Sequence, residues 1–537
     1  MDVLLALLPI LTLIVLMGVF KVPGDRSSLI TLIVSIVIAV WYFGQPLQQT
    51  GLSFFYGALK ALVPILLIIL MAIYSYNVLL HTGKIEVLKA QFSSISSNKC
   101  IQVLLITWGF GGLLEGMAGF GTAVAIPAAI LISLGFKPVF SALVSLIANS
   151  VPTAFGAVGV PVIVLAQETS LDVMKVAPAV VAQLAVTMIL VPIVIAQLTV
   201  PGKKALPRNI LIGTVIGAVS LAVQYLAARY IGPETPAILG SVAAIAVIIL
   251  LGRILDRRTR TASEKMENID EAHTRTANED IAHSTAQNTE HDSSGTAATL
   301  STRRHSTKEI LQAWAVYALI MLLILLTSPL LPIKDILAPV AETSIGFNIG
   351  GETRTWSVQW LVQGGLLLFI GSFAGGLLQG GKAGGLLRLL WKSTVQLKKT
   401  FITVICLVGF SSIMETSGMI NTLAVALATA TGALYPLFAP AIGAIGTFLT
   451  GSDTSANILF GKLQAGVAEH IGADPVWISA SNTAGATGGK IISPQSIAIA
   501  TSACGQQGQE GRILKAALLY ALGYVVITGI IVYIFAY

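Results

Sequence analysis

Long apolar runs separated by short polar loops account for most of this chain. Runs near 3–20, 28–43, 54–80, 139–166, 172–198, 209–229, 234–251, 308–330, 358–379, 401–424, 476–503 and 513–536 are each close to the roughly 20 residues that cross about 30 Å of hydrocarbon. The pattern predicts an all-α polytopic membrane protein of about 12 transmembrane helices. Two further apolar stretches, 101–134 and 434–470, are too long for one crossing. Each is interrupted in its middle, by Glu115 to Gly121 and by Gly451 to Asn457. They are expected to be re-entrant hairpins.

The interruptions form two matching sets. The first is Glu115-Gly-Met-Ala-Gly-Phe-Gly-Thr122 followed by Asn149-Ser-Val-Pro-Thr-Ala-Phe-Gly-Ala-Val-Gly-Val-Pro161. The second is Ser452-Asp-Thr-Ser-Ala-Asn457 followed by Asn482-Thr-Ala-Gly-Ala-Thr-Gly-Gly-Lys-Ile-Ile-Ser-Pro494. Asparagine and proline are twelve positions apart in both. Such glycine- and proline-rich backbone cannot run as continuous helix, and non-helical backbone survives at membrane depth only where it is buried in protein or lines a cavity. Broken helices at corresponding places in two halves point to the substrate site of a secondary transporter.

Basic residues of short loops orient such a chain, because they stay on the cytoplasmic side. Seven loops carry them: Lys21 and Arg26; Lys84, Lys89 and Lys99; Lys137; Lys203, Lys204 and Arg208; Arg253 to Arg260; Lys382, Arg388, Lys392, Lys398 and Lys399; Arg512 and Lys515. All seven fall inside if the amino terminus is outside and both hairpins return to the side they entered from. The first hairpin then enters from the cytoplasm and the second from outside. This arrangement yields a first repeat, residues 1–200, with hairpin 101–134 and broken helix 139–166. Two linking helices follow in 201–252, then a cytoplasmic linker, 253–307. A second repeat, 308–537, carries hairpin 434–470 and broken helix 476–503. Five spans plus a hairpin is an odd number of crossings, so the second repeat is expected to be inverted relative to the first.

Composition agrees. Hydrophobic residues make up 55% of the 537 and charged residues 11%, against about 25% charged in a soluble domain. The start, Met1-Asp2-Val3, has no positive leader region, so 3–20 is read as a retained span. Residues 253–307 are polar, mixed in charge and poor in large apolar residues, and are expected to be a disordered linker. Four of the six histidines lie there, His273, His283, His291 and His305, at irregular spacing without cysteine partners. The cysteines Cys100, Cys406 and Cys504 are isolated in or beside apolar runs, suggesting neither disulfides nor a metal cluster. No zinc-ligand spacing, phosphate-binding loop or Ser/His/Asp set appears, and His81 and His470 lie at span ends. No catalytic residue, metal or cofactor is therefore expected. The net charge of +7 is accounted for by cytoplasmic loops and gives no reason to invoke nucleic acid.

Trp108-Gly-Phe-Gly-Gly-Leu-Leu-Glu-Gly-Met-Ala-Gly-Phe-Gly-Thr-Ala-Val-Ala-Ile-Pro127, with Ala148 to Pro161 and Gly451 to Asn457, resembles the bacterial L-lactate permease family over nearly the whole chain. The resemblance implies a proton symporter for L-lactate and other short 2-hydroxy monocarboxylates, D-lactate and glycolate among them, in the bacterial cytoplasmic membrane. The hairpin and broken-helix pattern also resembles the wider ion-transporter superfamily, which implies an elevator-like motion and is compatible with a homodimer. A sodium-coupled or exchange transporter of another small organic anion, such as a dicarboxylate, is the competing reading.

A 2-hydroxy acid offers a carboxylate, a hydroxyl and a small apolar group. Exposed helix amino termini suit the carboxylate, and Gly119, Gly121, Gly156 and Gly489 let backbone approach it. Thr122, Asn149, Ser150, Thr153, Ser452, Thr454, Ser455, Asn457, Asn482, Thr483, Ser493 and Gln495 are candidate partners of substrate, or of backbone groups that the breaks free. Charges inside apolar segments cost at least about 2.5–3.5 kcal/mol each. Glu115 and Asp453, at equivalent hairpin tips, are the candidate proton carriers, and Lys490 the candidate anion partner. Glu415 stands as a lesser candidate, while Lys60 and Lys462 are expected to snorkel toward an interface.

Overall fold

The computed structural model describes residues 1–20, 22–93, 98–117, 119, 121–255, 306–327, 331, 333–506 and 509–537. Most of the expected linker, residues 256–305, lies outside the described residues. Among those described, nine helices are long and apolar enough to cross a membrane, or up to eleven if each of two bent pairs is one span. The outer helices carry large apolar side chains outward, Leu519 being 75% exposed. Such surfaces suit contact with lipid or with a partner protein.

Each expected span is helical for most of its length, and the differences are instructive. The run at 54–80 belongs to a longer element, Leu47–His81. It is interrupted at Val63, whose φ and ψ of −135° and 120° are not helical, just before Pro64. Proline has no N–H to give the ladder and disfavours helical backbone in the residue before it. The run at 401–424 divides. Lys398–Thr416 ends at a left-handed Gly418, with φ of 83°, and Met419–Thr431 follows as a separate helix.

A second difference is a two-stranded antiparallel sheet, Glu342–Ile349 with Glu352–Gln359, in register Ile345 to Trp356. The strands join through Gly350 and Gly351, with φ of 65° and 85°, the positive values a two-residue hairpin turn needs. This hairpin is fixed to the interrupted helix. Gly350 N–H donates to Gln49 Oε1 at 3.0 Å, the Tyr56 and Phe347 rings meet edge to face, and Trp356 Nε1–H donates to the Val63 carbonyl at 3.0 Å. Trp356 thus occupies a carbonyl at the helix break.

The two interrupted stretches fold back on themselves. Lys99–Met117 turns through Gly119 and Gly121 into Thr122–Ser133, so that Gly111 faces Pro127 and the Ala123 carbonyl. Tyr435–Thr450 turns at Gly451 into Asp453–Ile471, and Gly446 faces Ala456 and Phe460. The stretches at 139–166 and 476–503 are broken. Pro138–Thr153 meets Gly156–Thr169 at 47°, with Ala157, Val158 and Gly159 all at positive φ. Two such consecutive non-glycine residues are strained backbone of the kind that clusters at functional sites. Pro475–Lys490 breaks before Pro494–Ala503, which is capped by Ser493.

Each hairpin packs on the broken helix of its own set, Thr122–Ser133 on Pro138–Thr153 and Asp453–Ile471 on Pro475–Lys490, and there is crosswise packing as well. The second half of the first broken helix, Gly156–Thr169, packs on Asp453–Ile471 of the second hairpin. Pro494–Ala503 of the second broken helix packs on Thr122–Ser133 of the first hairpin.

Candidate functional site

The hairpin tips and helix breaks meet around a cavity of about 480 Å³. Four chain starts converge there: Gly119 and Gly121 before Thr122–Ser133, Gly156 to Pro161 in the first broken helix, Ser452 to Ser455 at the start of Asp453–Ile471, and Pro494 to Ser496 at the start of Pro494–Ala503. First-turn N–H groups have no partner within their own helix and carry partial positive charge. Apolar wall comes from Leu13, Met17, Ile69, Leu407, Leu449 and Ile499. The mouth is bounded by Pro23, Gly24 and Asp25 and by Lys399, Thr400 and Thr403. These mouth residues had no candidate role in the sequence reading, although Lys399 lies in one of the basic loops.

All three predicted membrane-depth charges line this cavity. Glu115 is 2% exposed and has Asn149 and Thr153 beside it. Its Oε2 is without a hydrogen-bond partner. Asp453, also 2% exposed, accepts from Thr447 Oγ1 at 3.2 Å through Oδ1, while Oδ2 is unpartnered. Lys490, at the end of Pro475–Lys490, is partly buried and forms no salt bridge among the described residues. It is nonetheless the opposing charge that acts on both carboxylates. One cation facing two carboxylates, each with a free oxygen, leaves room for an anion and for protons in the same chamber.

Gly451, the second hairpin's turn, has φ of 70° and carries Gln495 packed where a side chain would begin. Only glycine meets both demands at that point. Gly119, Gly121, Thr153, Gly156, Ser452, Thr454, Ser455 and Gln495 join the three charges in the wall.

Other candidates sit away from it. Asn457 Nδ2 donates to the Pro161 carbonyl and to Thr483 Oγ1, at 2.9 and 2.8 Å, and its Oδ1 accepts from Asn482 at 2.9 Å. Asn482 also donates to the Ala456 carbonyl at 3.1 Å and accepts from Gln464 at 3.2 Å. Asn457, Thr483, Asn482 and Gln464 together join the second hairpin to both broken helices. Ser493 caps Pro494–Ala503 by accepting from Ser496 N–H at 3.2 Å, and Ser150 donates to the Ile147 carbonyl of its own helix at 2.7 Å. Asn149 donates to Thr153 Oγ1 at 3.2 Å, so it reaches the cavity only through Thr153 and Glu115. Gly489 lies flush against the Ala444 backbone, where a side chain would separate two helices. The Thr122 side chain lies outside the described residues.

Lys60 and Lys462 do not snorkel. Both pair with Glu168, a residue the sequence reading passed over, and Lys462 also pairs with Glu415. The signal available for Glu168 was a carboxylate just past the end of an apolar run, where a hydrated residue looks the same.

The L-lactate permease family model matches residues 2–537. The chain is 36% identical to an L-lactate permease of Streptococcus iniae, over 89% of this chain and 93% of that one. It is 31% identical to the glycolate permease GlcA of Escherichia coli K12, over 100% and 96%. In fold it is similar to MtrF of Neisseria gonorrhoeae, described as illuminating a class of antimetabolite efflux pumps. That match has a TM-score of 0.51 at 12% identity and covers 97% of this chain and 96% of that one. With its whole length matched and its hairpin tips and helix breaks gathered at one cavity, the chain belongs to the L-lactate permease family.

Proposed function

We propose that this protein takes up L-lactate, and with it D-lactate and glycolate, by proton symport across the bacterial cytoplasmic membrane. The observation that carries the reading is the meeting of Lys490 with Glu115 and Asp453 in one cavity ringed by helix starts. Lys490 and the free N–H groups receive the carboxylate. The hydroxyls of Thr153, Ser452, Thr454 and Ser455, which line the cavity, pair the 2-hydroxyl, and the apolar side chains of Leu13, Ile69 and Ile499 receive the methyl. Glu115 and Asp453 carry the proton, each having an oxygen that no protein donor occupies.

The two hairpins and two broken helices form an inverted repeat that moves in an elevator-like manner. Their crosswise packing supports this, since a pseudo-twofold exchanging the hairpins would exchange the broken helices as well. In the orientation derived from the basic loops, the cavity mouth at Asp25 and Lys399 faces the cytoplasm.

Uptake of labelled L-lactate into proteoliposomes under an outside-acid pH gradient tests the assignment, with and without sodium and with glycolate and succinate as competitors. Accumulation that needs the gradient, ignores sodium and is blocked by glycolate is the expected result. Sodium dependence, or competition by succinate alone, overturns it in favour of a sodium-coupled or dicarboxylate carrier.

A further inference from the structure

Beyond the cavity lies a chain of alternating charges that no transport step above uses. Lys60 Nζ is 3.4 Å from Glu168 Oε1, and Lys462 Nζ is 3.0 Å from Glu168 Oε2 and 2.6 Å from Glu415 Oε2. Arg354 of the β-hairpin closes the row at 2.8 Å from Glu415 Oε1. Ser411 Oγ donates to Glu168 at 3.2 Å, and Lys60 donates to the Gln167 carbonyl at 3.1 Å. The Glu168 side chain is fully buried and that of Lys462 is 7% exposed, whereas those of Glu415 and Arg354, at 32% and 22%, reach the surface. A buried ionic row is costly to assemble and is a poor source of stability, so its position calls for a role.

That position is regular. Glu168 is seven residues past Pro161, the last cavity residue of its helix. Lys462 is seven past Ser455, and Glu415 eight past Leu407. All three helices leave the cavity in the same sense, so the charges form a layer about 10–12 Å beyond it, on the side away from Asp25 and Lys399. The layer also joins two pairs of helices, which touch each other where Lys398–Thr416 meets Asp453–Ile471. Leu47–Lys60 packs on Lys398–Thr416, and Gly156–Thr169 packs on Asp453–Ile471. The first pair gives a cation to the second through Lys60–Glu168, and the second returns one through Lys462–Glu415.

We infer that this reciprocal pair of bridges is a latch, which seals the far side of the cavity while the mouth is open and must separate for the cavity to face the other way. The first helix pair, with the β-hairpin and its Arg354, is the frame. The second pair, which carries Asp453 and Gly156 at the cavity, is the part that moves. Separation leaves Glu168 and Lys462 still paired with each other on the moving part, and Glu415 still paired with Arg354 on the frame. Lys60 alone gives up its carboxylate, keeping the Tyr56 ring of its own helix 5.6 Å from its ammonium, so the cost of opening falls on one cation rather than on the whole row. The inference rests on the transport reading of the cavity, but its test does not require lactate.

A single cysteine is placed at Thr454 in the full-length protein, with Cys100, Cys406 and Cys504 replaced by alanine. It is labelled in proteoliposomes by a membrane-impermeant thiol reagent applied to one face at a time. The parent should label from the Lys399 face. Glu415→Gln and Lys60→Met should each move the ratio of labelling between the faces by about tenfold toward the opposite one. An unchanged ratio in folded variants overturns the latch. Should those variants not fold, a Lys60→Cys and Glu168→Cys pair bridged by a short bifunctional thiosulfonate decides the matter. The bridge should hold Thr454→Cys labelling on the Lys399 face until it is reduced, and labelling from the opposite face with the bridge intact overturns the inference. Absence of lactate uptake alongside the predicted labelling would count against the substrate assignment and leave the latch standing.

Discussion

Glu115 Oε1 occupies the space that a side chain at Gly156 would enter: a Cβ built on Gly156 lies 2.8 Å from that oxygen. The tip of the first hairpin is thereby seated directly on the break of the first broken helix. Gly156→Ala must push Glu115 aside or shift the hairpin, and overpacking a filled interior costs about 1–3 kcal/mol. Binding of lactate should weaken by about tenfold, the equivalent of 1.4 kcal/mol. Titration calorimetry in detergent checks this, and an unaltered affinity would show that the seat of Glu115 is not part of the site.

Among the described residues, Lys490 is the one cation deep in the cavity, with Lys399 at the mouth. Hydrogen bonds to charged groups contribute about 1.5–3 kcal/mol. Lys490→Gln should therefore raise the KM for lactate by about 10- to 100-fold, whereas Lys490→Arg, which keeps the charge, should recover part of the loss. Initial uptake rates over a range of lactate concentration separate the outcomes. Equal KM values for Gln, Arg and the parent would assign the anion to the helix starts alone.

Spans, hairpin tips and breaks were legible because lipid offers a backbone no substitute for its own hydrogen bonds. A glycine and proline cluster inside an apolar run must therefore mark protein-lined space. Glu115, Asp453 and Lys490 were legible for the same reason in charge form. The sheet at 342–359 was not, because its strands are largely exposed and set in a polar stretch where alternation resembles a loop. Nor could sequence sort the polar candidates. An amide such as that of Asn457 serves a ligand or a neighbouring helix equally well, and only its contact with the Pro161 carbonyl decides which it does here.

That contact carries its own consequence. Asn457 and Asn482 are fully buried, and between them they serve the Pro161 and Ala456 carbonyls, Thr483 and Gln464. Removing one partner leaves buried polar atoms unmatched, at about 1–3 kcal/mol. Asn457→Ala should lower the thermal midpoint in detergent measurably, while Thr454→Ala, at the cavity surface, should leave it near the parent value. Differential scanning fluorimetry distinguishes them, and equal midpoints would remove Asn457 from the structural network.

Asp453 holds one oxygen on Thr447 and leaves the other free at the head of its helix beside the cavity. Asp453→Asn preserves the shape and an acceptor for Thr447, but it cannot take up or release a proton. If Asp453 carries the coupled proton, the variant should still exchange lactate for lactate across the membrane, since exchange needs no net proton movement. Uphill accumulation should vanish. One proton per lactate sustains about 100-fold accumulation over about two pH units, because each unit is a factor of ten. In the variant that ratio should collapse toward one while counterflow persists, and the rise in initial rate with outside acidity should flatten. A parent-like accumulation ratio in Asp453→Asn would move the proton to Glu115, and Glu115→Gln, measured in the same two assays, would then be expected to show the separation of exchange from accumulation.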